Sequence, residues 1–256
     1  MGDDAAALRS QLALLAAGVR DCVLADSAAA CAAAAAGRRE QLGAGVGVLR
    51  WDAHGNAFLV RLDALAARLR ADEARLARGE QLVAVPVRAH AAARRPCVLS
   101  GDARQAWLQR LATCVRALSA ALQDAASAVG GGGGAPPARA VELAMPDALP
   151  LCPVALTGYL LGYPVVYDVS GGDGRYEPGA NCLGGCTLHV HRAEWRGDPN
   201  AALAFSVPVE RDVDGAYALV EEALAAWAAR LQHDADRTQV LVFVTSRDVT
   251  LAHVAL

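Results

Sequence analysis

Apolar residues recur at intervals of three and four in four long segments of the chain. This spacing places them on one helical face and predicts amphipathic helices. The four segments are 4–19, 63–78, 102–127 and 214–232. The pattern is clearest in the third, where it runs through Leu108, Leu111, Val115, Leu118 and Leu122. Asp102 and Gln105 at its start have the spacing of a capping box, which supports a helix beginning there.

Two further segments favour helix for other reasons. Residues 26–37 are mostly alanine, which suits a helix but offers little apolar surface to bury. Residues 152–162 carry Pro153 near their start, and proline is well placed in the first turn of a helix. We therefore expect a short helix over 152–162.

Runs rich in β-branched and aromatic residues predict the strands. They lie at 46–51, 58–62, 82–87, 164–169, 186–191, 203–209 and 239–245. The first two form a hairpin, residues 249–256 are expected to pair back on the last, and Pro86 favours an edge strand because it has no amide donor. Strands that cluster in runs favour the α+β class, with a mostly antiparallel sheet flanked by amphipathic helices.

A glycine- and proline-rich stretch, Gly130–Pro137, interrupts this pattern. Glycine and proline at this density cannot pack a core, so the stretch is typical of a flexible loop or a linker. We predict a single α+β domain over 1–256 with a flexible loop at 128–138. The alternative is two lobes, 1–129 and 138–256.

The amino-acid composition excludes several classes of function. The chain is alanine-rich and contains no lysine, which excludes the phosphate-binding lysine of P-loop proteins, the ATP lysine of protein kinases and Schiff-base catalysis. A net charge of −3 gives no electrostatic basis for binding nucleic acid or an anionic membrane.

Three features predict an intracellular protein, located in the cytoplasm or, as the alternative, in the nucleus. Seven cysteines scattered over a long chain do not resemble a secreted disulfide scaffold. The first four residues include Asp3 and Asp4, where a signal peptide needs positive charge. The apolar stretch 22–36 is too short and too weakly apolar to span a bilayer.

One cluster of residues has the chemistry of a metal site: Cys182, Cys186, His189 and His191. Two thiolates and two imidazoles would satisfy tetrahedral zinc, but the spacing matches no common zinc module. In a strand over 186–191, alternation places Cys186 on one face and both histidines on the other. We therefore predict no metal and no cofactor, and keep a small zinc-stabilised module as an alternative.

The glycine-rich segment 171–174 is better explained as a hairpin loop than as a phosphate site. Phosphate-binding loops lead into a helix and usually recruit a lysine, whereas this one precedes a predicted strand and contains Asp173. No serine lies in a Gly-x-Ser-x-Gly elbow. The sequence leaves open whether the protein is an enzyme and favours a non-catalytic one.

Tyrosines mark the best candidate for a binding surface. Four of the five in the chain fall within 159–176, and tyrosine is enriched at recognition sites because it joins a rigid ring to a polar tip. The candidate binding residues are Tyr167, Asp173, Arg175, Tyr176 and Asn181. In the alternative interpretation, Tyr159 and Tyr163 pack the short helix against the sheet and a hairpin loop follows.

Residues 156–167, together with Asn181-Cys182-Leu183, resemble a small uncharacterised eukaryotic protein family of unknown function. The resemblance covers mainly 156–183 and implies no activity, cofactor or site. The leading hypothesis is a non-catalytic intracellular protein that acts through a binding surface. Its partner is unknown, and a protein is the candidate. The alternatives are an enzyme whose site is assembled from dispersed residues and the zinc module around Cys182–His191.

Overall fold

The computed structural model of the chain describes residues 2–25, 45–51, 54–80, 84–90, 95–130, 141–146, 149–170, 176, 181–195, 198–209, 217–238, 242–252 and 254. They form five helices and ten strands. The chain divides into two compact units, the first comprising Met1–Gln81 with Ala112–Leu149, and the second Leu82–Leu111 with Pro150–Leu256. The prediction of a single domain over 1–256 stays a prediction.

The first unit is built on a four-stranded sheet. Its elements are α1 (Gly2–Ala16), β1 (Cys22–Ala25), β2 (Val46–Trp51), β3 (Asn56–Arg61), α2 (Leu62–Ala77), the later part of α3 (Gly101–Gly130) and β6 (Val141–Ala144). The sheet has the order β1-β3-β2-β6, in which only β2 and β6 are parallel. Gly55 has a φ of 67° in the turn of the predicted β2–β3 hairpin, a conformation that glycine adopts without strain.

Periodicity explains how α1 packs in this unit. Leu12 and Leu15 are buried against a cluster from the sheet that includes Val23, Val48 and Leu59. β2 and β3 are buried along almost their whole length, as their nearly continuous apolar sequences require.

The second unit contains two three-stranded sheets. Its elements are β4 (Val85–Arg88), β5 (Cys97–Val98), the start of α3, α4 (Pro153–Leu160), β7 (Val165–Asp168), β8 (Thr187–Trp195), β9 (Asp198–Pro208), α5 (Tyr217–Thr238) and β10 (Val242–Thr250). The sheets have the orders β5-β4-β7, with β4 and β7 parallel, and β10-β8-β9, which is wholly antiparallel.

The pairing of β4 with β7 assigns their side chains to two faces. Asp168 lies beside Arg88 and Val166 beside Pro86, so these four share one face. α4 packs on that face, because the position of a Cβ on Gly158 would be 3.0 Å from Cγ1 of Val166. Tyr167 lies on the opposite face.

The apolar stripe predicted for 214–232 is the buried face of α5. Val220, Trp227 and Leu231 are buried there. Trp227 packs edge-on against Phe205 of β9, with ring centroids 4.9 Å apart. The helix is described from Tyr217 and continues to Thr238, beyond the predicted end.

Two local predictions were wrong. β4, which contains Pro86, is the central strand of its sheet rather than an edge. The Pro86 carbonyl accepts a hydrogen bond from the Leu99 amide at 2.9 Å. Because proline has no N–H, the pair of Pro86 and Leu99 lacks the hydrogen bond in the other direction. Residues 242–250 form one strand paired to β8 instead of turning back on themselves. The helix predicted over 102–127 is confirmed as α3, which is described as far as Gly130.

The fold class is α+β with mostly antiparallel open sheets, as the sequence predicted. The alanine-rich segment 26–37, and the predicted loop beyond Gly130, lie outside the described residues. In the part of the chain that the structure describes, no helix combines the length and apolarity needed to cross a membrane.

Candidate functional site

A polar cluster lies at the carboxyl end of β7 in the second unit. Asp168 is only 1% exposed. Its Oδ2 accepts from Nη2 of Arg110, on α3, at 3.2 Å. Its Oδ1 accepts from the Ser170 amide at 3.1 Å and also from the Ser170 hydroxyl. A buried carboxylate needs such donors to replace its water shell, and Asp168 has one cation and two neutral donors.

Cys152 adjoins this cluster as the N-cap of α4. Its Sγ accepts from the Ala155 amide at 3.4 Å, and its thiol donates to the Tyr167 carbonyl at 3.7 Å. Burial, and next the nearby charge of Asp168, raise the pKa of Cys152 to about 11. A helix N-terminus normally lowers a thiol pKa, but here burial outweighs it, so the thiol stays protonated at neutral pH.

This cluster has the character of a packing feature. The carboxylate of Asp168 is already engaged by Arg110 and Ser170, and a protonated thiol is a weak nucleophile. These groups therefore hold the end of β7 against α3 and α4. The cluster gives little support to the alternative of an enzyme assembled from dispersed residues.

The structure gives different surroundings to the five candidate binding residues. Tyr167 is buried at 7% exposure. Its hydroxyl donates to the Ser206 carbonyl on β9 at 2.9 Å, and burial raises its pKa. Tyr167 therefore links β7 to β9.

Asn181 is half-buried and fixes the backbone. Its Oδ1 accepts from the Leu183 amide at 3.1 Å, and its Nδ2 donates to the Val254 carbonyl at 2.9 Å. Tyr176 is half-buried, and its backbone forms a bridge with Ser170. Asp173 and Arg175 lie outside the described residues. A shared site formed by these five residues stays a prediction.

The candidate metal ligands occupy a turn and the strand after it. The Cys186 thiol donates to the Cys182 carbonyl at 3.3 Å, and burial, followed by the charge of Cys186, raises the pKa of Cys182. His189 and His191 share a face of β8, with ring centroids 4.7 Å apart. Within the described ranges, no three His, Cys, Asp or Glu side chains are grouped to hold a metal ion.

The two histidines have other neighbours. Nδ1 of His189 lies 2.5 Å from Oδ1 of Asp248 on β10. His191 stacks on Phe205 at 5.2 Å, and burial, then the charge of His189, lower the pKa of His191. These contacts join β10, β8 and β9 across one face of their sheet.

The sequence did not predict that the strand β10 is an exposed edge of the second unit. All nine residues pair with β8 on one side, and no described strand pairs with the other side. Every residue of β10 except Val242 and Val249 is exposed. Phe243 is 53% and Val244 47% exposed, which is unusual for large apolar side chains in a strand.

The sequence of β10 gives its edge little of the usual protection. Exposed edges are commonly blunted by charged side chains, proline or a bulge. β10 contains neither lysine nor proline, and its register with β8 is regular throughout. Arg247 and Asp248 are its two charged residues. The result is a long, regular edge whose backbone groups can pair with another strand.

Comparison with known proteins adds a family but no activity. A family model described as a domain of unknown function (DUF4504) matches residues 3–256. The predicted resemblance to an uncharacterised family is thereby confirmed. No curated protein and no solved structure matches the chain.

Proposed function

The chain belongs to this family of unknown function, DUF4504, and we propose that it is a non-catalytic binding protein whose partner adds a strand to β10. The observation that carries the proposal is the nine-residue strand β10, which is largely exposed and pairs with β8 on one side, while no described strand pairs with its other side. Strand addition gives affinity through main-chain hydrogen bonds and specificity through alternating side chains.

The side chains of β10 suit this mode of recognition. Phe243 and Val244 point to opposite faces because side chains alternate along a strand, and both are about half-exposed. A partner strand would therefore meet an apolar side chain on each face. The β8 pairing along the full length of β10 holds its backbone extended before any partner arrives, which lowers the ordering cost of binding.

We further propose that the partner is a protein and that the compartment is the cytoplasm or nucleus. The six described cysteines, which include exposed Cys97, are not paired in disulfides. This supports a reducing environment. The net charge of −3 supports a protein partner over nucleic acid.

Affinity capture with matched variants tests the proposal. Phe243→Glu places a charge on β10, and Ala204→Glu places the same charge at an exposed position on β9, the opposite edge strand of the same sheet. We expect Phe243→Glu to lose the captured partner and Ala204→Glu to retain it. Hydrogen exchange of the native complex should show protection of 242–250.

The same experiment separates β10 from the surface predicted around Tyr176. The double substitution Arg175→Ala with Tyr176→Ala should leave capture through β10 intact. A partner that is lost with this double variant and retained with Phe243→Glu would place the binding surface at the tyrosine-rich segment and overturn the assignment to β10.

A further inference from the structure

We infer that the strand added to β10 is β10 of a second copy of this chain. The two strands run antiparallel about a two-fold axis at Ser246, so that the two β10-β8-β9 sheets become one continuous sheet of six strands. This inference rests on the proposed role of β10 as a strand-binding edge. Two-fold dimers are the most common homo-oligomers, and the self-complementarity of β10 can be read from its residues.

Symmetry restricts the possible registers. A two-fold axis perpendicular to the sheet keeps each side chain on its own face, and directly opposite residues of neighbouring strands share a face. Residues paired across the axis must therefore be an even number of positions apart, which places a single residue on the axis. An axis at Ser246 overlaps the whole strand, Val242–Thr250.

Charge excludes the neighbouring registers on one side. An axis at Arg247 would set the two guanidinium groups directly opposite each other, and an axis at Asp248 would do the same for the carboxylates. Like charges at opposed positions are destabilising. An axis at Thr245 avoids this but shortens the overlap to 242–248. Ser246 is thus the centre that combines full overlap with no directly opposed like charges.

The pairs formed about Ser246 are favourable. Phe243, which is 53% exposed in the single chain, lies opposite the partner's Val249. An aromatic residue beside a β-branched one is among the better cross-strand pairs, and symmetry forms this pair twice. Asp248 lies opposite the partner's Val244.

One repulsive element remains in this arrangement. Arg247 lies opposite the partner's Thr245, so the two Arg247 side chains are diagonal neighbours on the same face, about 7–8 Å apart at Cα. This distance is within the screening length at physiological salt. Arg247→Thr should therefore strengthen the dimer, an effect that pairing with an unrelated strand would not require.

Sedimentation equilibrium of the full chain tests the association. We expect a species of twice the 26.4 kDa chain mass that forms as concentration rises. Phe243→Glu should weaken dimerisation by about tenfold or more, because it sets a carboxylate against the partner's Val249. Ala204→Glu should leave it unchanged, and Arg247→Thr should tighten it.

Cross-linking tests the register. Residues on the axis have Cα atoms about 4.5–5.5 Å apart in an antiparallel pair, which is within reach of a disulfide. Ser246→Cys treated with oxidised glutathione should give a covalent dimer, while Ala204→Cys under the same treatment should give no more covalent dimer than the native chain, in which exposed Cys97 sets the background level of cross-linking.

A chain that stays monomeric at all concentrations, with no excess cross-linking of Ser246→Cys, would overturn the inference of a second copy. If Phe243→Glu still abolished capture of another protein, the proposed function of β10 would stand without the inference of a second copy. If the variant changed neither association nor capture, both would fall.

Discussion

Gly158 on α4 and Val166 on β7 approach each other so closely that a Cβ at position 158 would lie 3.0 Å from Cγ1 of Val166. Gly158→Ala should therefore destabilise the fold despite the better helix propensity of alanine. Overpacking of this kind costs about 1–3 kcal/mol, against a propensity gain of roughly 0.5–1 kcal/mol. Urea unfolding of the variant measures the difference.

Val166→Ala supplies the control for this contact. In the Gly158→Ala background it removes the methyl groups that the new Cβ meets, so the two losses should be less than additive in a double-mutant cycle. A Gly158→Ala protein as stable as the native chain would show that α4 can move away from β7 at little cost.

The ion pair between Arg110 and Asp168 predicts a second loss of stability. Asp168→Asn removes the charge that Arg110 meets within the fold. Because the Arg110 side chain is 29% exposed, water can hydrate part of it, and the free energy of unfolding should fall by about 1–3 kcal/mol. Glu194→Gln breaks the exposed pair with Arg192 and should cost less than about 1 kcal/mol. Equal effects in thermal unfolding would contradict a structural role for Asp168.

Thiol reactivity should divide the cysteines by exposure and pKa. Cys97 is exposed, whereas buried Cys152 has a pKa raised to about 11 and presents little thiolate at pH 8. Iodoacetamide on the native protein should modify Cys97 first and leave Cys152 unmodified until denaturant is added, as followed by peptide mass spectrometry. Equal labelling rates at the two positions would show that the end of β7 opens readily.

His191 predicts how stability changes with pH. Burial, and then the charge of His189, lower its pKa in the folded protein from the ordinary value of 6.5, so the folded state binds fewer protons than the unfolded state. The stabilisation is present above about 6.5 and is lost as the pH falls towards the lowered value. Urea unfolding at stepwise lower pH measures this slope.

His191→Gln should make that slope shallower, because glutamine does not titrate in this range. His189, on the same face, and Asp248, which contacts His189, remain in the variant. Substitution of exposed His233 by glutamine controls for the loss of one imidazole. A His191→Gln slope identical to that of the native chain would assign the pH dependence to other groups.

Local periodicity in the sequence determined the helices and several strands. The stripe through Val220, Trp227 and Leu231 predicted the buried face of α5, and the hairpin of β2 and β3 followed from two β-rich runs around a turn. These features depend on residues a few positions apart, which constrain one another through the fixed geometry of a helix or a hairpin.

Tertiary structure alone decided which strands distant in the sequence pair and which residues remain exposed. Arg110 and Asp168 are 58 residues apart, and no local pattern indicates their contact. Pro86 suggested an edge, but β5 and β7 flank β4 on either side. The apolar run 239–245 predicted a strand and nothing about its exposure, whereas in the structure Phe243 and Val244 are about half-exposed. An apolar sequence determines that a strand will form, whereas its burial depends on the neighbours that distant parts of the chain supply.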